Sequence, residues 1–133
     1  MRRFTVIFLM LVLSGCTLDL HRWMPTNVIY QPDHGDAQRG ADIFVHGVGD
    51  APPCISCHSI GTSVFSLGPV MIGISQRAGQ RVPGLSADAY IRQSILDPSA
   101  YVVSGYRNIM YPDFKNKLSA QDLADLIAYL KTL

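Results

Sequence analysis

The sequence predicts an all-α fold of short helices joined by long loops and closed around a body that the polypeptide does not supply. Three observations carry this expectation. Apolar residues recur at helical spacing in three segments: 36–46, 86–96 and the stretch from Ser119 to Leu133. The intervening stretches, 47–85 and 97–118, are rich in Gly, Pro and Ser and show no strand alternation. Loops of that length in a compact domain are usually functional, and three short helices bury little apolar surface by themselves. Something else is expected to fill the core.

At 133 residues there is room for one domain. The N-terminus reduces it further. "MRRFTVIFLMLVLSGC" opens with Arg2 and Arg3, continues as an apolar run from Phe4 to Leu13, and ends in Ser14 and Gly15 before Cys16. This is the order of a secretory signal, and the run is too short for an ordinary spanning helix. Its last four residues, "LSGC", resemble the lipobox of bacterial lipoproteins. That resemblance implies cleavage after residue 15 and lipidation of Cys16, which also accounts for an odd count of three cysteines. A lipid anchor would tether the mature protein on the extracytoplasmic side of a bacterial membrane while leaving it water-facing.

The full chain carries 11 Lys+Arg and 10 Asp+Glu; without Arg2 and Arg3 the formal charge is 9 − 10 = −1. Every acid is Asp, and no basic block exists. Nucleic acid is therefore not an expected partner.

Residues 16–35 read as a lipidated end and an irregular arm. Trp23, Ile29 and Tyr30 are too apolar for a purely solvated linker, so part of the arm is expected to lie on the domain or on a partner. The domain proper is 36–133. In its first helix Ala37, Gly40, Ala41 and Phe44 share one face. A mid-helix glycine costs about 1 kcal/mol relative to alanine, so Gly40 signals close approach by another element. The second helix has Ser86 as N-cap, Tyr90, Ile91 and Ile95 as its apolar face, and Pro98 as a stop. The third, "SAQDLADLIAYLKTL", starts from Ser119 with Asp122 at the capping-box position. Leu123, Leu126, Ile127 and Leu130 make its face.

The chemistry sits in "PPCISCHSIG", residues 52–61, which holds Cys54, Cys57 and His58. CxxC occurs in zinc sites, redox dithiols, disulfides and haem anchors. A zinc site needs four ligands, and only one half is here; His21, His34 and His46 lack paired spacing. A thioredoxin-like dithiol would accompany a βαβ pattern, which is not visible. A disulfide across two residues would be strained and leaves His58 unexplained. CxxCH is instead the attachment signature of c-type haem. Two thiols add to the two vinyl groups on one porphyrin edge, and the next residue is aimed at the iron as an imidazole ligand. Haem is also the large apolar body that the core lacks, and export fits its attachment outside the cytoplasm.

A low-spin electron carrier needs a second axial ligand, commonly Met. Met1 and Met10 lie in the signal and Met24 in the arm, which leaves Met71 in "LGPVMIG" and Met110 in "YRNIMYPDF". Met71 follows His58 so closely that its segment is expected on the histidine side; a loop at Met110 can reach the other. CxxCH after the first helix, the Gly68-Pro69 loop, "IMYPDF" and the final "LSAQDLADLIAYLKTL" together resemble a class I c-type cytochrome over residues 36–133. The resemblance implies one haem c, anchored by Cys54 and Cys57, with His58 as proximal and Met110 as distal ligand. It implies that the Pro69 carbonyl accepts from the other His58 nitrogen, and that Gly40 and Phe44 meet Leu126 and Tyr129 where the terminal helices cross. Tyr111 stands between Met110 and Pro112 where the family often has Met followed directly by Pro.

The expected function is electron transfer, not enzymic turnover, in a respiratory or photosynthetic chain. "GISQRAGQRVPGLSADAYIRQSILDP" is similar to cytochrome c domains of respiratory oxidases. The protein would be a tethered carrier or a complex subunit, exchanging electrons with a quinol-oxidising complex, a terminal oxidase or a photosynthetic acceptor. A haem sensor or peroxidase-like protein with an open sixth position is the alternative class. Arg77 and Arg81 are either solvated or partners of a haem propionate. Tyr101, Tyr106 and Asn108 either pack or hydrogen-bond near the ligand, and His46 is expected at the surface.

Overall fold

A computed structural model describes residues 34–61 and 66–133. Residues 1–15, read from sequence as a signal, Cys16 and the expected arm up to residue 33 lie outside the described residues. The elements are α1 (Ala37–His46), a 3-10 turn (Cys54–Ser56), α2 (Ile74–Arg77), a second 3-10 turn (Ala78–Gln80), α3 (Ala87–Leu96), α4 (Phe114–Lys117) and α5 (Ala120–Leu130). Among the described residues there is no strand beyond an isolated bridge between Val48 and Ala51, so the all-α expectation holds.

The three sequence-predicted helices are α1, α3 and α5, each one residue shorter at its start because the expected first residue is the cap. Asp36 accepts from the Gln38 and Arg39 N–H groups, and Ser86 from Ala89 N–H. Ser119 and Asp122 form a reciprocal capping box, satisfying orphan donors of the first turn of α5. α2 and α4 fall inside segments that read as loops. Four residues are too few to display a 3.6-residue period, and each is held by one buried anchor, Ile74 and Phe114.

The terminal helices α1 and α5 cross face to face. Gly40 makes this crossing possible, because a Cβ there would penetrate the Asp125 carbonyl and stand 2.8 Å from Tyr129 Cβ. Next to it the Phe44 and Tyr129 rings meet edge-on, with centroids 5.5 Å apart. The sequence-implied contact of Gly40 and Phe44 with the α5 face is thus present. α3 packs against the Ala78–Gln80 turn, α4 and α5. Its buried Tyr90, Ile91 and Ile95 join Phe44, Leu126 and Leu130 in one core.

A polar network locks the crossing. Asp125, 0% exposed, accepts from Asp36 N–H at 2.7 Å, from Gln121 Nε2 at 2.7 Å and from Arg39 Nε. Arg39 also pairs with Asp122 through Nη2. Every donor to Asp125 outside α5 comes from α1 or its cap, so the buried carboxylate ties the two ends of the domain together.

Candidate functional site

A broad cleft opens beside this core, enclosing about 1110 Å³ of space free of protein atoms and partly open to solvent. Its inner wall is apolar, with Phe44, Ile91, Ile95, Leu126 and Leu130; Cys54, Cys57 and His58 lie on one side and Met110 also reaches it.

The Cys54–Ser56 turn places the cysteines and the histidine. Cys57 N–H and His58 N–H both donate to Cys54 O, at 3.1 and 2.9 Å, which winds the chain tightly enough to turn all three side chains to the cleft. Ser66 braces the exit: its Oγ donates to Cys57 O at 2.6 Å and accepts from Ser59 N–H at 3.3 Å. The two sulfurs are free thiols, each half-buried. Burial pushes the Cys54 thiol up to about 11, so it is protonated at neutral pH.

His58 is oriented from two directions. Its Nδ1 lies 2.8 Å from Pro69 O. A carbonyl can only accept, so Nδ1 carries the proton and Nε2 keeps its lone pair for a metal. Gly68 lies flat against the ring: a Cβ there would stand 2.8 Å from Nδ1 and 3.0 Å from Nε2. Sequence reasoning singled out the Gly68-Pro69 pair for Pro69; the role of Gly68 appears only when the ring is in place. Gly68→Ala is expected to displace the imidazole and destabilise the protein by about 1–3 kcal/mol, as overpacking does. Chemical denaturation and the ¹⁵N shifts of His58 check this; unchanged shifts and stability would mean that the ring has room to spare.

The two methionines separate by their tethers. Met71 N–H donates to Ser59 O at 2.7 Å and Gly68 N–H to Cys57 O at 2.9 Å, so segment 68–71 is stitched to the histidine side. Met71 packs against the core and lines the cleft there. Met110 arrives from the separate loop between α3 and α4. Tyr111 after it sets its ring edge-on to Phe114 at 5.0 Å, which pins the loop to α4.

Of the remaining candidates, Asn108 Nδ2 donates to Ser99 Oγ at 3.3 Å and braces its own loop. Tyr101 stacks edge-on against Tyr90 at 5.9 Å, and Tyr106 lines the cleft mouth. His46 is exposed at the end of α1, 2.9 Å from Asp42. Arg77 and Arg81 both line the cleft. Arg77 is engaged with backbone, Nη1 donating to Ile72 O at 2.7 Å and Nη2 to Val70 O at 2.8 Å. Arg81 Nε is buried and meets no partner among the described residues.

Residues 37–133 match the family described as cytochrome c. The chain belongs to the cytochrome c family. No curated protein matches it. Members of the family carry covalently attached haem c and transfer electrons through it, and the spacing of Cys54 and Cys57 fits that attachment. The cytochrome's cleft suits the group on its own evidence too: an apolar wall, two thiols on one side, an imidazole with Nε2 free, and an orphaned guanidinium N–H. The fold and the cofactor expected from sequence are both borne out.

Proposed function

We propose that this chain is a class I, monohaem cytochrome c that carries electrons for a respiratory or photosynthetic chain from a lipid anchor at Cys16. The observation that carries the reading is the joint placement of His58 and Met110 on one cleft, with His58 Nδ1 already committed to Pro69. Bound haem supplies one-electron Fe(III)/Fe(II) chemistry. Cys54 and Cys57 would hold it through thioether bonds. His58 would hold the iron through Nε2, and its bond to the Pro69 carbonyl raises ring basicity and fixes the ring plane. Met110 would offer the iron its thioether, a ligand that raises the potential. Phe44, Leu126 and Leu130 exclude water from the inner wall.

Two ligands from the protein leave no position for a substrate, which supports a carrier rather than an enzyme. Leu67, 61% exposed, and Ile109, 48% exposed, stand where the cleft opens and suit brief docking of a redox partner. The partners proposed are a quinol-oxidising complex as donor and a terminal oxidase or photosynthetic acceptor. Segment 1–15 is proposed as the signal, 16–35 as the tether, and the extracytoplasmic membrane face as the location.

Expression with and without a c-type maturation system, followed by alkaline pyridine spectroscopy, tests the centre. One covalent haem c per chain is expected, lost in Cys54→Ala/Cys57→Ala; a different stoichiometry defeats the monohaem reading. Labelled palmitate should enter the wild type and not Cys16→Ala, and an unlabelled wild type defeats the anchor. Detergent extraction with gel filtration then separates a small free carrier from a complex subunit.

A further inference from the structure

Met110 reaches the cleft from a loop, and a loop needs something to keep it in place. Behind this one lies an ion pair between segments far apart in the chain. Lys117 Nζ donates to Asp50 Oδ2 at 2.7 Å, across 67 positions of sequence.

Each end of the pair is a short, stiff step from the cleft. Asp50 sits in a tight turn closed by the bridge between Val48 and Ala51, and Ala51 is buried in the core. Pro52 and Pro53, whose rings fix the backbone φ, lead from that turn to Cys54. Lys117 ends the single turn of α4, and the first residue of that turn, Phe114, holds the ring of Tyr111. Tyr111 is the residue after Met110.

Exposed ion pairs usually contribute little, because long side chains lose entropy on pairing and water screens them. Asp50 is exposed, but the Lys117 side chain is only 27% exposed and is largely held in place before it pairs. Both partners register the contact: the Asp50 bond raises the Lys117 pKa, and the Lys117 bond lowers that of Asp50. The pair of Lys131 with Asp88 differs. It joins the end of α5 to the start of α3, and both its partners are about half exposed.

We propose that Asp50 and Lys117 are positioning residues for the distal ligand: their ion pair latches the Met110 loop to the turn that leads to Cys54, and so slows the departure of Met110 from iron. The latch rests on the proposed ligation by Met110.

Ferric holoprotein mixed with a large excess of imidazole tests it. Loss of the weak near-infrared absorption of thioether-ligated haem should level off at the rate at which Met110 leaves. Asp50→Asn and Lys117→Gln should each raise this limiting rate about two- to five-fold, the reach of an exposed pair, and the double variant should go no further. Asp50→Lys/Lys117→Asp should bring the rate back toward the wild type, which a mere loss of packing would not allow. High salt should speed the wild type but not the single variants, and the wild-type arm needs no variant to fold. Asp88→Asn should match the wild type. A wild-type rate indifferent to salt, equal rates in the wild type and both single variants, a reversed pair no slower than those variants, or an Asp88→Asn effect as large as theirs overturns the latch and leaves Met110 as ligand. A wild type without the near-infrared absorption overturns both.

Discussion

Met110→Ala should abolish the weak near-infrared absorption that thioether-ligated ferric haem shows, and Met71→Ala should leave it. The reason is topological. Met71 is fastened by a backbone hydrogen bond to Ser59, immediately beyond His58, and so shares the histidine side of the cleft. Met110 enters from the α3–α4 loop, whose position is set by Tyr111 against Phe114 and by Ser99 bonding Asn108. On the proposed ligation, removing its thioether deletes a ligand that favours the ferrous state, so the potential should fall as well. The ferrous variant should then bind carbon monoxide readily, whereas the wild type should not. A wild type that lacks the band and takes up carbon monoxide would instead favour the sensor or peroxidase-like class. Loss of the band in Met71→Ala alone would reassign the ligand.

The second large effect concerns stability. Asp125→Asn should cost about 1–3 kcal/mol at pH 7, because the amide accepts through one atom only and turns a donor toward the donors of Asp36, Arg39 and Gln121. Burial pushes the Asp125 pKa up, but the donors from Asp36 N–H, Arg39 and Gln121 together outweigh it and hold the carboxyl below its usual value. The sign follows. A depressed folded pKa contributes stability that is complete above the unfolded value, about 3.9, and is lost as pH falls through the folded value. Wild-type stability should therefore drop on acidification below about pH 4, and the Asp125→Asn curve should be flatter and converge with it there. Urea titrations across pH check this; parallel curves would show that the carboxylate charge does not hold the α1–α5 crossing. Arg39→Ala should do less damage, because Arg39 is 52% exposed and water screens its charge.

Asp125 also illustrates what could not be read in advance. In "SAQDLADLIAYLKTL" it resembles any acid on a solvated helix face, yet it is the most buried charge among the described residues. Its burial depends on Gly40 letting α1 come within contact of the α5 backbone, and a helical period carries no information about its neighbour's distance. Gly40 did announce a close approach, since a mid-helix glycine needs a reason.

The haem chemistry was legible because it is local. Cys54, Cys57 and His58 fall within five residues, and the two cysteines have the spacing of the family's haem attachment, so the motif is read from the order of residues alone. The capped helices were legible for the same reason: Asp36, Ser86 and Ser119 each satisfy donors within three residues of themselves. The short helices α2 and α4 escaped, because four residues make barely one turn and show no repeat of the period. The different surroundings of Arg77 and Arg81 escaped as well. Two arginines four apart look alike as letters, and what distinguishes them is which one finds the carbonyls of Ile72 and Val70 and which is sealed into the cleft without an acceptor. Chain-local chemistry thus came from the order of residues. Burial, pairing and the pressure of Gly68 on the His58 ring came from segments far apart in the chain, brought together by packing.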